Sequence, residues 1–442
     1  MKFYNRNDEL NTLNSLYNQV DDSAKMTFIT GRRRVGKTYL SLQFAHSHKY
    51  LYFFVSKKSE YLLCQDFIAE IKKIFDVPII GDIRYFKDIF KLLMELSKKE
   101  KFILIIDEFQ EFYNINKSVY SDIQNLWDLN KNQSKMFLLC IGSVYSLMCK
   151  IFENSKEPLF GRADRNLYIK PFNVPTIYEV LKDNKVFSIQ SLFDIYVFTG
   201  GNPRYIEILC SNNALEFNKM LSFITKKYSP FINEGKSILI EEFGKEYATY
   251  FSILKLISDG KTSRSKIESI LEINTGGYLE RLEKDYSIIR RYRPINSKRN
   301  SHLQKFYISD NFINFWFRFF YNNISSIETG NFKYIQDVIK RDYNTYSGIF
   351  LENLFKELLS DTGKYNRIGS YWEKGNQNQI DIVAVNDMEK YMLLAEVKLN
   401  KSRINLDILK KKSVKLIKDY PGYKIEFLKL SLEDCKKFPG IS

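Results

Sequence analysis

The chain has 442 residues, of which 44% are hydrophobic and 27% charged, and its formal net charge is +15. This length exceeds what one hydrophobic core usually holds and predicts about two to four domains, and the composition is typical of a folded protein rather than a disordered one. Because no apolar run approaches the roughly 18 residues that cross a bilayer, we expect no membrane-spanning segment and no membrane partner.

The use of cysteine and the first residues indicate a cytoplasmic protein. The chain begins without the apolar core of a signal peptide, and its five cysteines are odd in number and form no CxxC pair, which favours reduced thiols. With only three histidines, a histidine-rich zinc site is unfavourable.

Basic residues outnumber acidic ones by 67 to 52. Such a surplus favours a nucleic-acid partner, because lysine and arginine neutralise phosphates and release counterions. The alternative is a general enrichment in Lys, Asn, Ile and Tyr of the kind that an AT-rich genome produces. Two local clusters support the first interpretation. They are Arg290, Arg291, Arg293, Lys298, Arg299 and Lys305, in a segment without acids, and Lys410, Lys411, Lys412, Lys415 and Lys418.

The first third of the chain alternates short apolar runs with segments of helical periodicity. This alternation predicts an α/β domain with a parallel sheet and helices on both faces. The predicted strands are Met26–Thr30, Tyr50–Val55, Phe102–Ile106 and Met136–Ile141, and the predicted helices are Asn7–Val20, Thr38–His46, Ser59–Phe75 and Ile83–Ser97.

A phosphate-binding loop follows the first predicted strand. The segment Gly31-Arg32-Arg33-Arg34-Val35-Gly36-Lys37-Thr38 matches GxxxxGK[ST] between a strand and a helix, the context in which this motif binds ATP. Its glycines let backbone N–H groups curl around the phosphates, and the helix N-terminus adds positive potential. We expect Lys37 to reach the β- and γ-phosphates and the Thr38 hydroxyl to ligate Mg²⁺. The alternative is a chance glycine-lysine turn.

Two acids end the third predicted strand. Phe102–Ile106 is a continuous apolar run, as a strand buried on both faces requires, and Asp107-Glu108 follows directly. Asp107 is predicted to hold the Mg²⁺ shell, and Glu108 to orient and polarise the attacking water. The alternative is a pair of acids that merely ends a strand. After the fourth strand, Ser143 is either a sensor of nucleotide state or an ordinary turn serine.

The middle of the chain is mostly helical from Pro171 to Phe243, and three further helices are followed by two short β runs around Ser287–Arg293 and Leu303–Ile308. A glycine-containing turn between helices and a basic hairpin favour a winged helix-turn-helix. In that interpretation the second helix enters the DNA major groove and the hairpin arginines hold phosphate. The alternative is a packing module without DNA contact. The aromatic run at 312–320 favours buried core over a base-stacking surface.

From Thr345 onward the pattern is helix, three strands, helix and strand, which predicts a separate α/β unit. Asp381 lies on the second strand. Glu396 and Lys398 share one face of the third, because side chains two apart along a strand point the same way. We expect Asp381, Glu396 and the helix residue Glu352 to hold Mg²⁺ or Mn²⁺, and Lys398 to orient or deprotonate a water for attack on a phosphodiester. The alternative is an exposed Glu/Lys pair.

Several of these motifs resemble the archaeal-type ATPases of the AAA-related STAND group. The segments that carry the resemblance are Phe3-Tyr4-Asn5-Arg6 with Asp8-Glu9-Leu10, Gly31–Thr38, Asp107-Glu108, Gly142-Ser143, Leu159-Phe160-Gly161-Arg162, Pro171-Phe172 and Gly200-Gly201-Asn202-Pro203. The resemblance implies an extra strand between the two nucleotide-binding strands and a nucleotide-contacting role for Arg162, for which a structural salt bridge is the alternative. Gly200–Pro203 is predicted to be a helix-joining turn in the lid.

The last unit resembles the PD-(D/E)xK restriction-endonuclease-like fold, which the same ATPase family often carries at its C-terminus. The order of elements and Asp381, Glu396 and Lys398 carry this resemblance, but Gln379 stands where members often have an acid, which predicts a weaker metal site. The resulting domains are a P-loop ATPase core at 1–170, a helical lid at 171–244, a winged-helix and aromatic region at 245–344, and a nuclease-like domain at 345–442.

The integrated hypothesis is a cytoplasmic ATPase whose nucleotide state controls DNA binding and a C-terminal metal-dependent nuclease. One rival is a STAND-like switch or DNA-binding regulator whose last domain is an inactive scaffold. Another is a peptide-binding or toxin-linked signalling ATPase without DNA. The sequence does not define the preferred nucleic acid, the physiological trigger or the oligomeric state, and a homo-oligomer is compatible with it.

Overall fold

The computed structural model describes residues 2–78, 81–244, 247–298, 301 and 303–441. The chain divides into an N-terminal unit, Asn5–Lys170, and a C-terminal unit, which comprises Met1–Tyr4 and Pro171–Ser442. Arg299 of the first basic cluster lies outside the described residues. The finer division of 171–442 into lid, winged-helix region and nuclease-like domain stays a prediction.

The N-terminal unit alternates helices and strands, as the periodicity of the sequence predicts. Its elements are α1 (Asn7–Asn18), β1 (Lys25–Thr30), α2 (Lys37–Ala45), β2 (Tyr50–Phe54), α3 (Glu60–Ile74), α4 (Phe86–Lys99), β3 (Phe102–Asp107), α5 (Phe112–Ile115), α6 (Ser118–Asn130), β4 (Met136–Ile141), α7 (Tyr145–Glu153) and β5 (Arg165–Tyr168). The strands form one parallel sheet in the order β2-β3-β4-β1-β5, which confirms the predicted α/β fold. Strand β4 lies between β1 and β3, as the family resemblance implies.

The middle strands of this sheet, β3 and β4, are apolar in sequence because they are buried on both faces. Every residue of β3 and β4 is buried, and because successive side chains of a strand point to opposite faces, both faces of the sheet are covered here. The edge strand β5 has three exposed residues of four and a polar sequence. It therefore carries no periodic apolar pattern, and the sequence did not predict it.

The C-terminal unit begins with helices and ends with a second sheet. Its first elements are α8 (Val174–Asp183), α9 (Ile189–Thr199), α10 (Pro203–Ser211), α11 (Phe217–Ile224), α12 (Phe231–Phe243), α13 (Tyr247–Ser258), α14 (Arg264–Leu271), α15 (Gly276–Lys284), β6 (Ile289–Tyr292) and β7 (Lys305–Ile308). The remaining elements are α16 (Asn311–Phe315), α17 (Ile324–Glu328), α18 (Phe332–Asp361), β8 (Arg367–Tyr371), β9 (Ile380–Asn386), β10 (Tyr391–Val397), α19 (Leu406–Lys418) and β11 (Lys424–Leu430). None of the helices in the described part of the chain combines the length and apolar character of a bilayer span.

The predicted turn at Gly200–Pro203 is confirmed, because it joins α9 to α10. Gly200 and Gly201 have φ values of 57° and 78°. A Cβ on Gly201 would lie 2.0 Å from the carbonyl oxygen of Phe172, so the close approach of two backbones requires glycine there.

The aromatic run at 312–320, which begins in α16, is buried core, as expected. It continues the helix through a π-helical turn at Trp316–Phe320, whose aromatic side chains are buried. The indole N–H of Trp316 donates to the carbonyl oxygen of Ile232 at 2.7 Å. Its ring packs on Gly235, where a Cβ would lie 2.3 Å from the ring. These residues support the helical part of the unit and leave no surface for base stacking.

The second sheet has the order β11-β10-β9-β8. Strands β8, β9 and β10 are antiparallel, whereas β10 and β11 are parallel and are therefore joined by a crossover helix, α19. The predicted order of helix, three strands, helix and strand is confirmed by α18 through β11. The restriction-endonuclease-like nature of this unit stays a prediction.

Candidate functional site

Two glycines shape the loop between β1 and α2. Gly31 has a φ of 146°, and a Cβ there would lie 2.4 Å from the carbonyl oxygen of Ile169. Gly36, the residue before α2, has a φ of 91°, a left-handed conformation that other residues rarely adopt. The chain thereby turns from the end of the strand directly into the first turn of α2, and the N-terminus of a helix favours an anion.

Lys37 lies inside this loop. It is only 7% exposed, and its ammonium donates to the carbonyl oxygens of Gly31 at 2.9 Å and Arg32 at 3.0 Å. A buried ammonium needs such acceptors, and phosphate oxygens are stronger ones. Lys37, the predicted phosphate-binding lysine, is therefore held within the predicted phosphate-binding loop. Of the other loop residues with a predicted nucleotide contact, Val35 is buried, whereas Arg32, Arg33 and Arg34 are partly or fully exposed.

The carboxylate of Asp107 joins the loop to the end of β3. Its Oδ2 accepts hydrogen bonds from the Thr38 hydroxyl at 2.6 Å and the Tyr52 hydroxyl at 2.9 Å, and its Oδ1 accepts from the backbone N–H of Glu108 at 2.9 Å. Burial raises the pKa of Asp107, and the two hydroxyl donors oppose that rise. The structure thus brings the two predicted Mg²⁺ ligands, Thr38 and Asp107, together.

Tyr52 is a residue of this site that the sequence did not single out. It lies on β2, which pairs with β3 in the sheet, and burial raises the pKa of its phenol well above the usual value. In the sequence it is one more aromatic residue of an apolar run. A search of the sequence for hydroxyl side chains near the carboxyl ends of neighbouring parallel strands could have identified Tyr52.

Glu108 follows Asp107 in a left-handed backbone conformation, with a φ of 53°, which is uncommon for glutamate. Its Oε2 accepts hydrogen bonds from the Ser143 hydroxyl at 2.7 Å and from the side-chain amide of Gln110. Within the described residues no hydrogen bond reaches its Oε1. Gln110, which the sequence also did not single out, is fully buried, and a Cβ on Gly142 would lie 2.6 Å from its amide oxygen. Glycine before Ser143 therefore leaves room for Gln110.

Arg162 is hydrogen-bonded to an acid rather than to the loop. Its Nε and Nη2 donate to Oδ2 of Asp128 at 3.2 and 2.9 Å, and its Nη1 donates to the carbonyl oxygen of Phe160 at 2.9 Å. This is the salt bridge that was the alternative for this residue. Its contact with nucleotide stays a prediction.

Arg6 stabilises the loop by binding backbone at two distant points. Its Nη2 donates to the carbonyl oxygens of Lys170 at 2.6 Å and Val35 at 3.3 Å, and its Nη1 pairs with Glu9 at 3.2 Å. Burial lowers the pKa of this guanidinium. From the sequence Arg6 counted only as part of a family resemblance, since nothing local predicts that it meets a segment 164 residues away.

The acids and lysines predicted in the C-terminal unit also come together. The ammonium of Lys398 lies 3.8 Å from Asp381 and 3.5 Å from Glu396. Asp381 is buried and accepts the backbone N–H of Val397 at 2.9 Å. Lys412 of α19, known from the sequence only as part of a basic cluster, lies 3.4 Å from both carboxylate oxygens of Glu396.

Glu352 enters the same cluster from α18. It lies 3.7 Å from Lys356, one helical turn further on. Burial and, to a lesser extent, the charge of Asp381 raise the pKa of Glu352 to about 7. Burial lowers the pKa of Lys356. We call the six residues of this group, together with a seventh on β7, the acid–lysine cluster; they are Lys305, Glu352, Lys356, Asp381, Glu396, Lys398 and Lys412.

The two sites differ in how their residues fit a metal ion. In the described part of the chain no group of three or more His, Cys, Asp or Glu side chains is close enough to hold one. Thr38 and Asp107 offer hydroxyl and carboxylate oxygens, which Mg²⁺ prefers and which substrate phosphates complete. The carboxylates of Asp381 and Glu396 are suitable donors too, but a metal ion there competes with lysine ammoniums.

The predicted DNA-binding arginines are unequally available. Arg290 is exposed, whereas Arg291 pairs with Glu283 at 2.5 Å and lies over the ring of Phe306. Arg293 is partly buried. The three helices and the antiparallel hairpin of the predicted winged helix are present in the expected order, and contact with DNA stays a prediction.

Two family models match the chain. Residues 3–209 match an ATPase domain predominantly from Archaea, and residues 316–417 match a model described as archaeal and bacterial proteins of unknown function. The uncharacterized protein MJECL04 of Methanocaldococcus jannaschii is 30% identical over 440 residues, which are 95% of this chain and 94% of that protein. The uncharacterized protein MJ0424 of the same organism is 35% identical over 83 residues, 17% of this chain and 79% of that protein.

Solved structures share the fold. A Walker-type ATPase of Pyrococcus abyssi has a TM-score of 0.56 and 17% identity, over 72% of this chain and 96% of that one. The ORC2 protein of Aeropyrum pernix, solved as ADPNP–ADP complexes, has a TM-score of 0.51 and 14% identity, over 74% of this chain and 96% of that one. At these identities the likeness shows the fold alone.

Proposed function

This chain belongs to the family of the M. jannaschii protein MJECL04 and carries an ATPase domain of the type found predominantly in Archaea, and on that premise we propose that its N-terminal unit binds ATP with Mg²⁺ and hydrolyses it. One observation carries the proposal. Hydrogen bonds connect Thr38 of the loop to Asp107, and Glu108 to Ser143, so that the groups expected to bind phosphate, metal and water share one edge of the sheet.

Each side chain has a distinct part in this reaction. Lys37 exchanges its two carbonyl acceptors for phosphate oxygens when ATP enters the loop. Thr38 and Asp107 would hold Mg²⁺, which supplies positive charge to the phosphates during cleavage. Ser143 and Gln110 donate to Oε2 of Glu108, and the carboxylate would accept a proton from the attacking water.

Replacement of Lys37 tests this function. Lys37→Ala should weaken ATP binding by at least roughly tenfold, because a charge-assisted contact to phosphate is lost. The measurement is calorimetric titration of the full chain with ATP and Mg²⁺, and Lys91→Ala, which removes an exposed lysine of α4, is the matched control. Equal affinity of wild type and Lys37→Ala would refute the assignment of the loop.

We propose cleavage of nucleic-acid phosphodiesters as the function of the C-terminal unit, because Lys398 lies within 3.8 Å of both Asp381 and Glu396. Asp381 and Glu396 would hold Mg²⁺ or Mn²⁺, which would polarise the phosphodiester. A metal contact of Glu352 stays a prediction. Lys398 orients or deprotonates the attacking water. The net charge of +15 and the lysines of α19 support a polyanionic substrate, and nucleotide state in the N-terminal unit is proposed to control the reaction.

Cleavage assays with labelled DNA and RNA test this second function. Wild type should cleave with Mn²⁺ better than with Mg²⁺, because divalent-metal affinity is generally higher for Mn²⁺ at mixed sites. Asp381→Ala should lose both cleavage and metal binding, and Lys398→Ala should lose cleavage with the metal still bound. Repeating the assay with and without ATP tests the control by nucleotide. A wild type that neither cleaves nor binds metal would leave this unit as an inactive scaffold.

A further inference from the structure

The hairpin of β6 and β7 is bonded to the C-terminal sheet. In the connection between its strands, the backbone N–H of Ile295 donates to the carbonyl oxygen of Ser370 on β8 at 2.9 Å. The side-chain oxygen of Asn296 accepts from Nη1 of Arg367 at 2.8 Å and from the hydroxyl of Tyr420 at 2.6 Å. The hairpin that resembles a DNA-binding wing is therefore attached to the edge of the sheet that carries the acid–lysine cluster.

Ser370, which accepts the bond from the hairpin, also contacts a residue of the acid–lysine cluster. The hydroxyl of Ser370 donates to the backbone oxygen of Asp381 at 2.8 Å. Lys305, the first residue of β7, lies with its ammonium 4.5 Å from the ring centroid of Trp372, which follows β8. Packing on an indole holds the lysine stem in place, and the ring face attracts the charge.

Lys305 differs from the other lysines of the cluster in its partners. Lys356, Lys398 and Lys412 each lie within 3.7 Å of a carboxylate oxygen. Lys305 makes no ion pair with any described carboxylate, although Glu352 acts on it through space. Burial lowers the pKa of this half-buried ammonium, as expected of a cation without an acid directly beside it.

An ammonium with this setting has a clear chemical use. Lysine binds phosphate as a point charge. Lys305 comes from β7 rather than from the sheet that holds Asp381 and Glu396, and among the acids of the cluster it interacts through space with Glu352. We propose that Lys305 binds a backbone phosphate of the nucleic acid next to the one that is cleaved, so that the hairpin and the C-terminal sheet form one substrate-binding surface. The inference rests on the proposed phosphodiester cleavage and names a substrate contact for it.

Binding measurements with three variants test Lys305. Lys305→Met removes the charge and keeps an apolar stem over Trp372, Lys305→Arg keeps the charge, and Lys424→Met removes an exposed lysine from the first position of β11, which pairs with Tyr391 rather than with Glu396. Fluorescence anisotropy with labelled duplex DNA, single-stranded DNA and RNA is recorded over a range of salt in EDTA, where no metal-dependent cleavage occurs. Unfolding midpoints show that each variant is folded.

One lost phosphate contact has a defined signature. Lys305→Met should weaken binding by about tenfold at low salt, and the slope of log K against log salt should fall by about 0.9 for duplex DNA or 0.7 for a single strand. Lys305→Arg should restore both quantities, and Lys424→Met should leave both unchanged.

The outcomes separate the contact from the cleavage. If Lys305→Met alters affinity and slope as stated but wild type cleaves nothing with either metal, the contact stands and the proposed cleavage fails. If wild type binds and cleaves while Lys305→Met keeps the wild-type affinity and slope, Lys305 only packs on Trp372 and the inference is overturned. A wild type that binds no nucleic acid overturns both.

Discussion

The two acids at the end of β3 are held by neutral donors, whereas the two acids on β9 and β10 face lysines. Asp107 accepts from the hydroxyls of Thr38 and Tyr52, and Glu108 accepts from the hydroxyl of Ser143. Asp381 and Glu396, by contrast, share the ammonium of Lys398, and Glu396 has Lys412 as well.

The two groups of acids therefore differ in how much negative charge they would present to a metal ion. Hydroxyls satisfy the hydrogen-bonding capacity of a carboxylate but leave its negative charge, and under the proposed function a cation that arrives with ATP would balance that charge at the N-terminal site. Ammoniums cancel the charge, so a metal ion at the acid–lysine cluster must displace or outweigh them. The predicted weakness of the C-terminal metal site thus has a second cause beside Gln379.

The largest effect is expected from Glu108→Gln, in the N-terminal unit. It removes the charge that polarises water and little volume, so ATP binding should persist while hydrolysis falls by about 10²- to 10⁴-fold. Phosphate release at saturating ATP measures the effect. Glu111→Gln, three residues further on, is the control. Turnover within a few-fold of wild type would show that Glu108 is not the group that activates water.

Lys412→Met tests whether the lysines of the C-terminal unit compete with a metal ion. Because Lys412 lies 3.4 Å from both oxygens of Glu396, its removal should raise the affinity for Mn²⁺ by about tenfold, the value of one charge-assisted contact. Calorimetric titration of Mn²⁺ measures this gain. Lys415 lies on the same helix as Lys412 but contacts Glu373, which follows β8, so Lys415→Met should bind Mn²⁺ as wild type does. Equal affinity in all three proteins would mean that the lysines do not compete with the metal.

The smallest effect is expected from Tyr52→Phe. The variant removes one neutral donor from Asp107 and leaves Thr38 in place, so the affinity for ATP with Mg²⁺ should fall by about 1 kcal/mol, or roughly fivefold. Tyr50→Phe, on the same strand, serves as the control in the same titration. A loss as large as that in Lys37→Ala would contradict the view that Tyr52 only supports the carboxylate.

Much of the N-terminal fold could be predicted because its information is local. Strands β1 to β4 are apolar runs, and the loop from Gly31 to Thr38 is one contiguous motif between a strand and a helix. Strand β5 could not be predicted, since an edge strand with exposed polar residues needs no apolar pattern. The order of elements from α18 to β11 was predictable for the same reason, since apolar runs and helical periodicity are local features of the sequence.

The supporting residues of both sites were not predictable in the same way. Tyr52, Gln110 and Arg6 look ordinary in the sequence because their partners come from other strands and loops. Lys412 was visible only as part of a charged segment, and nothing local distinguishes it from Lys411 beside it. The helix places one of these neighbours against Glu396 and leaves the other exposed.

The sequence by itself determined the chemistry that this protein presents: a phosphate-binding loop, acids at the end of a buried strand, and an acid–lysine pattern on a later sheet. Short-range spacing suffices for these features, because a strand or a helix start orients residues that are close in the chain. Only the tertiary structure decided which neighbours tune the acids. Hydroxyls surround Asp107 and ammoniums surround Glu396 because strand pairing and helix packing bring distant residues within hydrogen-bonding or ion-pairing distance.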